Sequence, residues 1–257
     1  MTPETAAALQ RINRDFYDRH AVAFSATRER PWPAWERVAE AVEKCPAEGA
    51  RSVLDLGCGN GRLGRFLERR WGARLVYLGL DASQPLLEIA RSRRGGGCFV
   101  HCDLLGEGLP SELPGEPFDL ICAFGLLHHL PGFASRVALL GETARRLPPG
   151  GLLAVSFWQF GGVERFRRRM MPWELYNRTA TEPIDPREVE EGDTLLTWGE
   201  AAADRPQPVR YCHWTTPAEA ERLLSDLPLD PVIAFRADGE GGDLNLYRLL
   251  AAAATAR

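Results

Sequence analysis

An acidic residue followed by a cluster of glycines is the stretch whose residue types and spacing point most directly to chemistry. It reads Ser52-Val53-Leu54-Asp55-Leu56-Gly57-Cys58-Gly59-Asn60-Gly61, and apolar residues at helical spacing follow it at Leu63, Phe66 and Leu67. The pattern predicts a buried strand, a tight turn and a helix. Glycines permit positive φ angles and let a ligand approach the backbone, while a helix start offers unpaired N–H groups. The stretch therefore predicts a cofactor site.

Two kinds of cofactor compete for this turn. A dinucleotide site requires G-x-G-x-x-G directly after the strand, and Gly57-Cys58-Gly59-Asn60-Gly61 does not keep that spacing, although Gly59-x-Gly61-x-x-Gly64 fits it formally two residues later. A carboxylate at Asp55 would repel a pyrophosphate, but it would attract a cofactor that carries an ammonium and a sulfonium group. The acid therefore favours a positively charged cofactor.

Two further acids stand at the ends of predicted strands. Asp81 follows a predicted strand at 74–80, about 20 residues past the glycines, where a nucleotide site places an acid against ribose hydroxyls. Asp103 follows a predicted strand at 98–102. We expect the three acids to surround one pocket, although any one of them could instead cap a helix.

An acid followed by G-x-G-x-G resembles the first motif of the class I methyltransferases that depend on S-adenosylmethionine (SAM), and the resemblance covers about 51–157. It implies SAM as the cofactor, a contact of Asp103 with the adenine amino group, and a segment from Gly125 to Pro131 beside the methionine part. No metal is expected. The cofactor-binding residues that it implies are Asp55, Gly57, Cys58, Gly59, Asn60, Gly61, Asp81, Ala82, Asp103, Leu104 and Phe124.

Strand and helix patterns alternate from 51 to 157, which predicts a parallel sheet wound by right-handed crossovers. The expected fold class is α/β: a Rossmann-like class I methyltransferase fold with a mainly parallel seven-stranded sheet, helices on both faces and an insertion after strand 5. We expect four parts, which are N-terminal helices and a lid at 1–50, a SAM-binding core at 51–158, an insertion or cap at 159–208, and a C-terminal part at 209–257 that completes the sheet.

Short blocks outside the core are similar to one branch of this superfamily. They are Phe16-Tyr17, the run from Phe24 to Trp32, Gly192-Asp193-Thr194-Leu195-Leu196 with Trp198, Arg210-Tyr211-Cys212-His213, and Asp243-x-Asn245. The branch comprises the wobble-uridine carboxymethyl methyltransferases of tRNA, including the methyltransferase domain of the AlkB-type tRNA hydroxylase. The resemblance implies a tRNA substrate whose 5-carboxymethyluridine carboxylate is esterified, and a small zinc-binding activator protein as the partner of eukaryotic relatives.

A carboxylic acid is already ionised at pH 7, so its methylation needs positioning cations and no essential base, whereas an amine or hydroxyl must lose a proton. Arg28 and Arg210 are our candidates to hold the acceptor carboxylate or a phosphate. Tyr211 and His213 could stack on the base or bond to it. His129 lies where small-molecule methyltransferases sometimes place a base. Structural alternatives stay open: Arg28 could bind the SAM carboxylate or a helix end, one face of the 210–213 strand could be core, and His129 could pack or cap a helix.

Composition limits the class of protein. The 257 residues are 45% hydrophobic and 26% charged, no apolar run approaches the length of a membrane span, and the first ten residues lack a secretory apolar region. We therefore expect a cytoplasmic protein without a membrane partner. Six cysteines without a C-x-x-C pair indicate buried free thiols.

Three functions remain open on the sequence. The first is a tRNA carboxyl methyltransferase, the second a small-molecule O-, N- or carboxyl methyltransferase, and the third a SAM-binding protein without catalysis. A net charge of −4 argues against general attraction to nucleic acid but permits a local basic face, such as Glu164-Arg165-Phe166-Arg167-Arg168-Arg169-Met170. That run is equally consistent with a solvated helix face.

Overall fold

A computed structural model describes residues 1–45, 50–93, 97–199 and 207–254. The strands are β1 (Arg51–Leu56), β2 (Leu75–Asp81), β3 (Gly97–His101), β4 (Leu120–Ala123), β5 (Leu152–Trp158), β6 (Met170–Met171), β7 (Asp193–Thr197), β8 (Val209–His213), β9 (Leu229–Ala237) and β10 (Asn245–Ala252). The α-helices are α1 (Pro3–Ala26), α2 (Ala34–Glu43), α3 (Arg62–Trp71), α4 (Gln84–Ser92), α5 (Phe133–Arg145), α6 (Glu164–Arg167), α7 (Trp173–Asn177) and α8 (Pro217–Leu224).

The main sheet has seven strands in the order β3-β2-β1-β4-β5-β10-β9. Strands β1 to β5 pair in parallel, and β10 runs antiparallel to both β5 and β9. The predicted α/β architecture with a mainly parallel seven-stranded sheet is confirmed. The carboxyl ends of β1, β2 and β4 therefore meet at one edge, which is where ligands bind in open α/β sheets.

Apolar residues cover both faces of this sheet because helices pack on each side. In β1, Leu54 and Leu56 belong to the core under α5 and α8, whereas Val53 faces the core under α2 and α3. This alternation is the two-residue period of a strand, and all three side chains are fully buried. A strand anchored on both faces holds the turn that follows it in a fixed position.

A second sheet of three antiparallel strands has the order β6-β7-β8. We predicted that residues 209–213 lie in the part that completes the main sheet, and this prediction is wrong. These residues form β8, which pairs with β7 from Asp193↔His213 to Thr197↔Val209. The place beside β5 is taken by β10, whose pairing runs from Asn245↔Trp158 to Ala251↔Leu152. The two predicted parts that meet at residue 208 thus share one sheet.

Some residues of the predicted parts lie outside the described ranges. They are 46–49 of the N-terminal part, 94–96 of the core, 200–206 of the insertion and 255–257 at the C-terminal end.

Helix α1 connects the second sheet to the carboxyl edge of the main sheet. Ala8 and Leu9 pack against Leu195 of β7 and Tyr211 of β8. One turn further along, the side chain of Arg14 reaches Asp103, which follows β3. The helix therefore lies across the pocket edge, and its role as a lid stays a prediction. No helix within the described ranges combines the length and apolar character needed to cross a membrane.

Candidate active site

The glycine turn after β1 takes a backbone path that other residues would strain. Gly57, Gly59 and Gly61 have φ angles of +72°, +54° and +70°. A Cβ atom on Gly61 would lie 2.9 Å from Cζ of Phe99, and a Cβ atom on Gly57 would lie 3.0 Å from Cδ1 of Leu126. Glycine at these two positions lets the chain turn sharply, so that α3 begins directly behind the pocket.

A cavity of about 230 Å³ lies at the carboxyl edge of the main sheet, under α1. Of the residues predicted to bind the cofactor, its walls include Asp55, Gly57, Cys58, Gly59, Asn60, Asp81, Ala82, Asp103, Leu104 and Phe124. Gly61 is not part of the wall; its N–H donates to the carbonyl of Cys58 at 3.0 Å and its carbonyl accepts from Arg65. Gly61 therefore shapes the turn from behind.

Asp81 fixes the turn by bonding to its backbone. One carboxylate oxygen accepts from the N–H of Gly59 at 2.7 Å, and the other accepts from the N–H of Ser83 at 2.8 Å. The hydroxyl of Ser83 in turn caps α4 by accepting from the N–H of Leu86. The carboxylate is thus held at the cavity wall with its remaining lone pairs available to a ligand.

Asp55 is a buried acid at the end of β1. It is 3% exposed, and the hydroxyl of Tyr77 donates to its Oδ2 at 2.5 Å. Burial raises the pKa of Asp55 to about 7, with the Tyr77 hydrogen bond acting in the opposite direction. A cationic ligand in the cavity would stabilise the ionised form of this acid.

Asp103 forms an ion pair with α1. Its Oδ2 lies 2.6 Å from Nη2 of Arg14, and its Oδ1 accepts from the N–H groups of Leu105 and Gly106 at 3.2 Å. Sequence reasoning missed Arg14 and three other cavity-lining residues of α1, which are Gln10, Asn13 and Asp18. The signal that could have found them is polar spacing of three and four residues on one helix face.

The two arginines predicted to hold an anion lie together beside the cavity. Arg28 lines its wall and stacks on Phe24, with Cζ 3.6 Å from the ring centroid. Arg210 extends from β8 to the same ring, with Cζ at 5.6 Å. Neither makes an ion pair with an acid anywhere in the described ranges, and Nε of Arg210 is buried without a hydrogen-bond partner. Burial and the charge of Arg210 lower the pKa of Arg28 to about 10, which leaves it charged at neutral pH.

His129 lines the cavity but is poorly suited to remove a proton. Its Nδ1 lies 3.0 Å from the carbonyl oxygen of Tyr211, and its Nε2 lies 2.7 Å from the hydroxyl of Tyr17. Burial and the nearby charge of Arg210 lower the pKa of His129 to about 3. Both ring nitrogens are therefore engaged, and the ring is neutral at physiological pH.

The structure does not bring Tyr211 and His213 to the cavity, contrary to our expectation. They point away from Arg210 because successive residues of a strand face opposite sides. Tyr211 donates to Oδ1 of Asp193 at 2.6 Å, and the two ring nitrogens of His213 lie 2.8 Å from Asp193 and 3.0 Å from Glu219. Both side chains are at most 1% exposed. They hold the second sheet to α8, which is the structural alternative left open above.

Two groups of side chains lie close enough to hold a metal ion, namely His128, His129 and Cys212, and Glu190, Asp193 and His213. In the first group both ring nitrogens of His129 are already bonded. Burial lowers the pKa of His128, and the positive charges of Arg210 and Arg28, which act in the same direction, would also repel a metal cation. In the second group His213 and Arg136 already neutralise the carboxylates. Neither donor set favours a cation, and the absence of a metal stays a prediction.

The chain is similar to known proteins in domain, sequence and fold. Residues 54–153 match the family described as a methyltransferase domain. The chain is 33% identical over 173 residues to "Probable tRNA methyltransferase 9B" of Bos taurus, a match that covers 65% of this chain and 34% of the relative. It is also 33% identical over 161 residues to "tRNA (carboxymethyluridine(34)-5-O)-methyltransferase ALKBH8" of Macaca fascicularis, covering 61% and 22%. The chain thus spans 34% of the length of the first relative and 22% of the second.

A small-molecule enzyme is similar as well. "Trans-aconitate 2-methyltransferase" of Rhizobium leguminosarum is 36% identical over 128 residues, covering 50% of this chain and 45% of the relative. Among solved structures, the CcbJ methyltransferase of Streptomyces caelestis has a TM-score of 0.61 at 18% identity and covers 95% and 99% of the two chains. A Haloferax volcanii methyltransferase in complex with the Trm112 methyltransferase activator has a TM-score of 0.58 at 16% identity, with the same coverage. At these identities the structures establish the fold.

Proposed function

Because the chain carries a methyltransferase domain with the class I, SAM-dependent fold, we propose that it methylates a carboxylate, and that this carboxylate belongs to a modified wobble uridine of tRNA. The resemblance of the glycine turn and its acids to the class I SAM-dependent methyltransferases agrees with that domain and fold. The acceptor is the part that the geometry of this chain must support.

The cavity fits the cofactor that the family uses. SAM carries a sulfonium and an ammonium, which the acids at the ends of β1, β2 and β3 in the cavity wall would attract. Asp55, Asp81 and Asp103 would hold it, with the N–H groups of the turn. Bound there, SAM supplies an electrophilic methyl group. The residues of this chain align the acceptor with that group and shield both from water.

The observation that carries the proposal is the pair formed by Arg28 and Arg210. Arg210 is buried and Arg28 is half-buried, and a buried cation in a protein is normally paired with an acid, because an unpaired buried charge is destabilising. These two share the ring of Phe24, make no ion pair with an acid that the structure describes, and stand beside the cavity. A carboxylate of the acceptor would complete the pairing, since the guanidinium fork matches its two oxygens.

The state of His129 supports the same class of acceptor. An amine or hydroxyl acceptor needs a base, and the imidazole nearest the cavity has a pKa of about 3 with both nitrogens bonded. A carboxylate is ionised without help at pH 7. The site therefore suits an acceptor that is already an anion.

The blocks that resemble the tRNA branch support the nucleic-acid acceptor. Four side chains from these blocks lie against the ring of Phe24 or that of Phe16, which contacts it, although the blocks are separated along the chain. They are Tyr17, Arg28, Trp198 and Arg210. The ring of Phe24 lines the cavity, and aromatic side chains commonly stack on unpaired nucleobases. The similarity to the trans-aconitate enzyme nevertheless makes a free polycarboxylate the second candidate.

A partner protein is part of the proposal. The Haloferax volcanii methyltransferase of similar fold was solved with an activator, and the described part of the main sheet ends at strands β3 and β9, whose outer backbone groups could pair with a partner strand. Co-expression with such an activator should raise the yield or activity of this chain. Full activity that the activator does not change would contradict this part. A cytoplasmic location also stays a prediction.

Incubation of the protein with methyl-labelled SAM tests the proposal. We expect label in bulk tRNA that mild alkali releases, because alkali cleaves methyl esters but not N-methyl or ether groups. Arg28→Ala and Arg210→Ala should abolish the labelling, whereas Arg187→Ala, in an exposed pair with Asp185, should not. Alkali-stable label would refute the carboxylate acceptor. Label in trans-aconitate and none in tRNA would favour the second candidate.

A further inference from the structure

Tyr17 joins the two features on which the proposed function rests, Arg210 and His129. We infer that Tyr17 is a positioning residue, which holds the Arg210 guanidinium toward the acceptor carboxylate, and that His129 serves as the hydrogen-bond acceptor that orients the Tyr17 hydroxyl. This inference rests on the proposed carboxylate acceptor. It gives His129 a role other than the base expected at its position.

The contacts form a chain of three hydrogen bonds. Nη1 of Arg210 lies 3.3 Å from the hydroxyl oxygen of Tyr17, which lies 2.7 Å from Nε2 of His129. Nδ1 of His129 lies 3.0 Å from the carbonyl oxygen of Tyr211. Arg210 and Tyr211 are neighbours in β8, so the chain starts and ends on one strand and closes through α1 and the turn after β4.

The direction of each hydrogen bond follows from the groups at the two ends. A carbonyl oxygen can only accept, so Nδ1 of His129 carries the proton and Nε2 has the free lone pair. A guanidinium can only donate, so the oxygen of Tyr17 accepts from Arg210. The hydroxyl proton of Tyr17 is then donated to Nε2. Each of the three hydrogen bonds then has one donor and one acceptor. Nδ2 of Asn13 also lies 3.3 Å from Nδ1 of His129, and it donates to the carbonyl oxygen of His129 at 3.4 Å.

Packing leaves Arg210 one further direction in which to bind. Its guanidinium lies 5.6 or 5.7 Å from the ring centroids of Phe16, Phe24 and Trp158, and Tyr17 takes Nη1. Nη2 makes no hydrogen bond to a residue within the described ranges. The hydroxyl of Tyr17 thus sets the rotation of the planar group, and with it the direction in which the free edge points.

A Tyr17→Phe variant removes the hydroxyl and keeps the ring that packs against Phe24. We expect KM for the tRNA acceptor to rise about tenfold. The variant loses a hydrogen bond to a charged group, and the free energy of such a bond corresponds to about one factor of ten in affinity. The kcat should change less than about twofold, and the affinity for SAM should be unchanged. Tyr176→Phe, which removes a hydroxyl from the second-sheet region, is the matched control.

A double-mutant cycle asks whether Tyr17 acts through Arg210. Arg210→Lys keeps the charge and loses the planar fork, so Tyr17→Phe should have little further effect on KM in that background. His129→Gln keeps a side-chain oxygen that can accept from Tyr17 and should raise KM less than His129→Leu, which should reproduce the KM effect of Tyr17→Phe. Additive effects of Tyr17 and Arg210, or an equal rise of KM in both His129 variants, would overturn the inference.

Nitrogen chemical shifts of His129 test the bonding order without turnover. We expect a neutral ring with the proton on Nδ1, and a shift of the Nε2 resonance in Tyr17→Phe but not in Tyr176→Phe. A proton on Nε2 would overturn the inference whatever the enzyme methylates. If the expected shifts are found but no carboxylate is methylated, the proposed function fails and the orienting role of His129 remains.

Discussion

Replacing Asp193 by asparagine should reveal how firmly the second sheet is tied to the site. Asp193 is 9% exposed and its carboxylate accepts three hydrogen bonds. The donors are the hydroxyl of Tyr211 at 2.6 Å, Nδ1 of His213 at 2.8 Å and the N–H of Glu190 at 2.8 Å. An amide in this place has one acceptor oxygen and no charge, so at least one donor loses its partner and His213 loses a counter-ion.

The expected loss of unfolding free energy is about 3–5 kcal/mol, the cost of removing one member of a buried charged pair. An unpaired buried donor alone accounts for about 1–3 kcal/mol of this. Since domains of ordinary stability unfold with about 5–15 kcal/mol, the variant should still fold, with little margin. Asp185→Asn, which alters an exposed pair with Arg187, is the control and should change stability little.

The loss should depend on pH through His213. Burial lowers the pKa of this histidine, but its hydrogen bonds to Asp193 and Glu219 outweigh burial and raise the pKa above the usual value. A raised pKa in the folded state stabilises the protein below the unfolded pKa of about 6.5, and that stabilisation is lost as pH rises through the folded value. Arg136 and Glu190 also face this cluster. The difference between wild type and Asp193→Asn should therefore be largest near pH 6 and smaller near pH 9.

Urea unfolding curves of the wild type, Asp193→Asn and Asp185→Asn at the two pH values measure both quantities. A loss below about 1 kcal/mol near pH 6 would show that the cluster contributes no more than a surface pair. An equal loss at both pH values would refute the assignment of a charged His213. Either result would remove the argument that this cluster fixes the strand on which Arg210 stands.

Three further predictions concern the cofactor side of the cavity. Gly61→Ala should destabilise the fold more than Gly59→Ala in denaturant unfolding. Both glycines adopt positive φ, which costs another residue about 1–2 kcal/mol of folding free energy, but only at Gly61 would the Cβ atom meet a side chain, 2.9 Å from Phe99. Equal losses of unfolding free energy in the two variants would contradict this. The SAM affinity measured by calorimetry should fall as pH drops through about 7, because Asp55 then gains a proton, and Asp55→Asn should give a weaker, flat profile; a flat wild-type profile would count against the ionised acid as a ligand. Asp81→Ala should weaken SAM binding at least about tenfold, since two backbone N–H groups lose their acceptor; unchanged affinity in the same titration would exclude that role.

Most of the cofactor side of the site could be predicted from local sequence. Asp55, the glycines and Asp81 each stand next to the strand that positions them, and strand, turn and helix are encoded within about ten residues. Because parallel strands bring their carboxyl ends to one edge, recognising β1, β2 and β3 was enough to expect their acids together. Gly61 behaves differently from its neighbours because the turn directs it away from the cavity, which spacing does not reveal.

The acceptor side was predicted less well, and β8 shows why. Alternation along Arg210-Tyr211-Cys212-His213 states that two faces exist, but not which face meets the cavity. Which face meets the cavity depends on Asp193 and Glu219, whose side chains form hydrogen bonds with Tyr211 and His213. It also depends on α1, which packs on the same strand. Assigning this strand to the main sheet was wrong for a related reason: β10, more than thirty residues further on, is the strand that pairs with β5.

The sequence by itself determined the strand, turn and helix that form the cofactor pocket, because the interactions that define them are close along the chain. Only the tertiary structure decided that Tyr17 meets His129 across 112 residues and Arg210 across 193. Such contacts depend on how α1 and the second sheet pack over the main sheet, and no local period or propensity encodes that packing. The pocket for the methyl donor could therefore be predicted from the sequence, whereas the position of the proposed acceptor site depends on the tertiary structure.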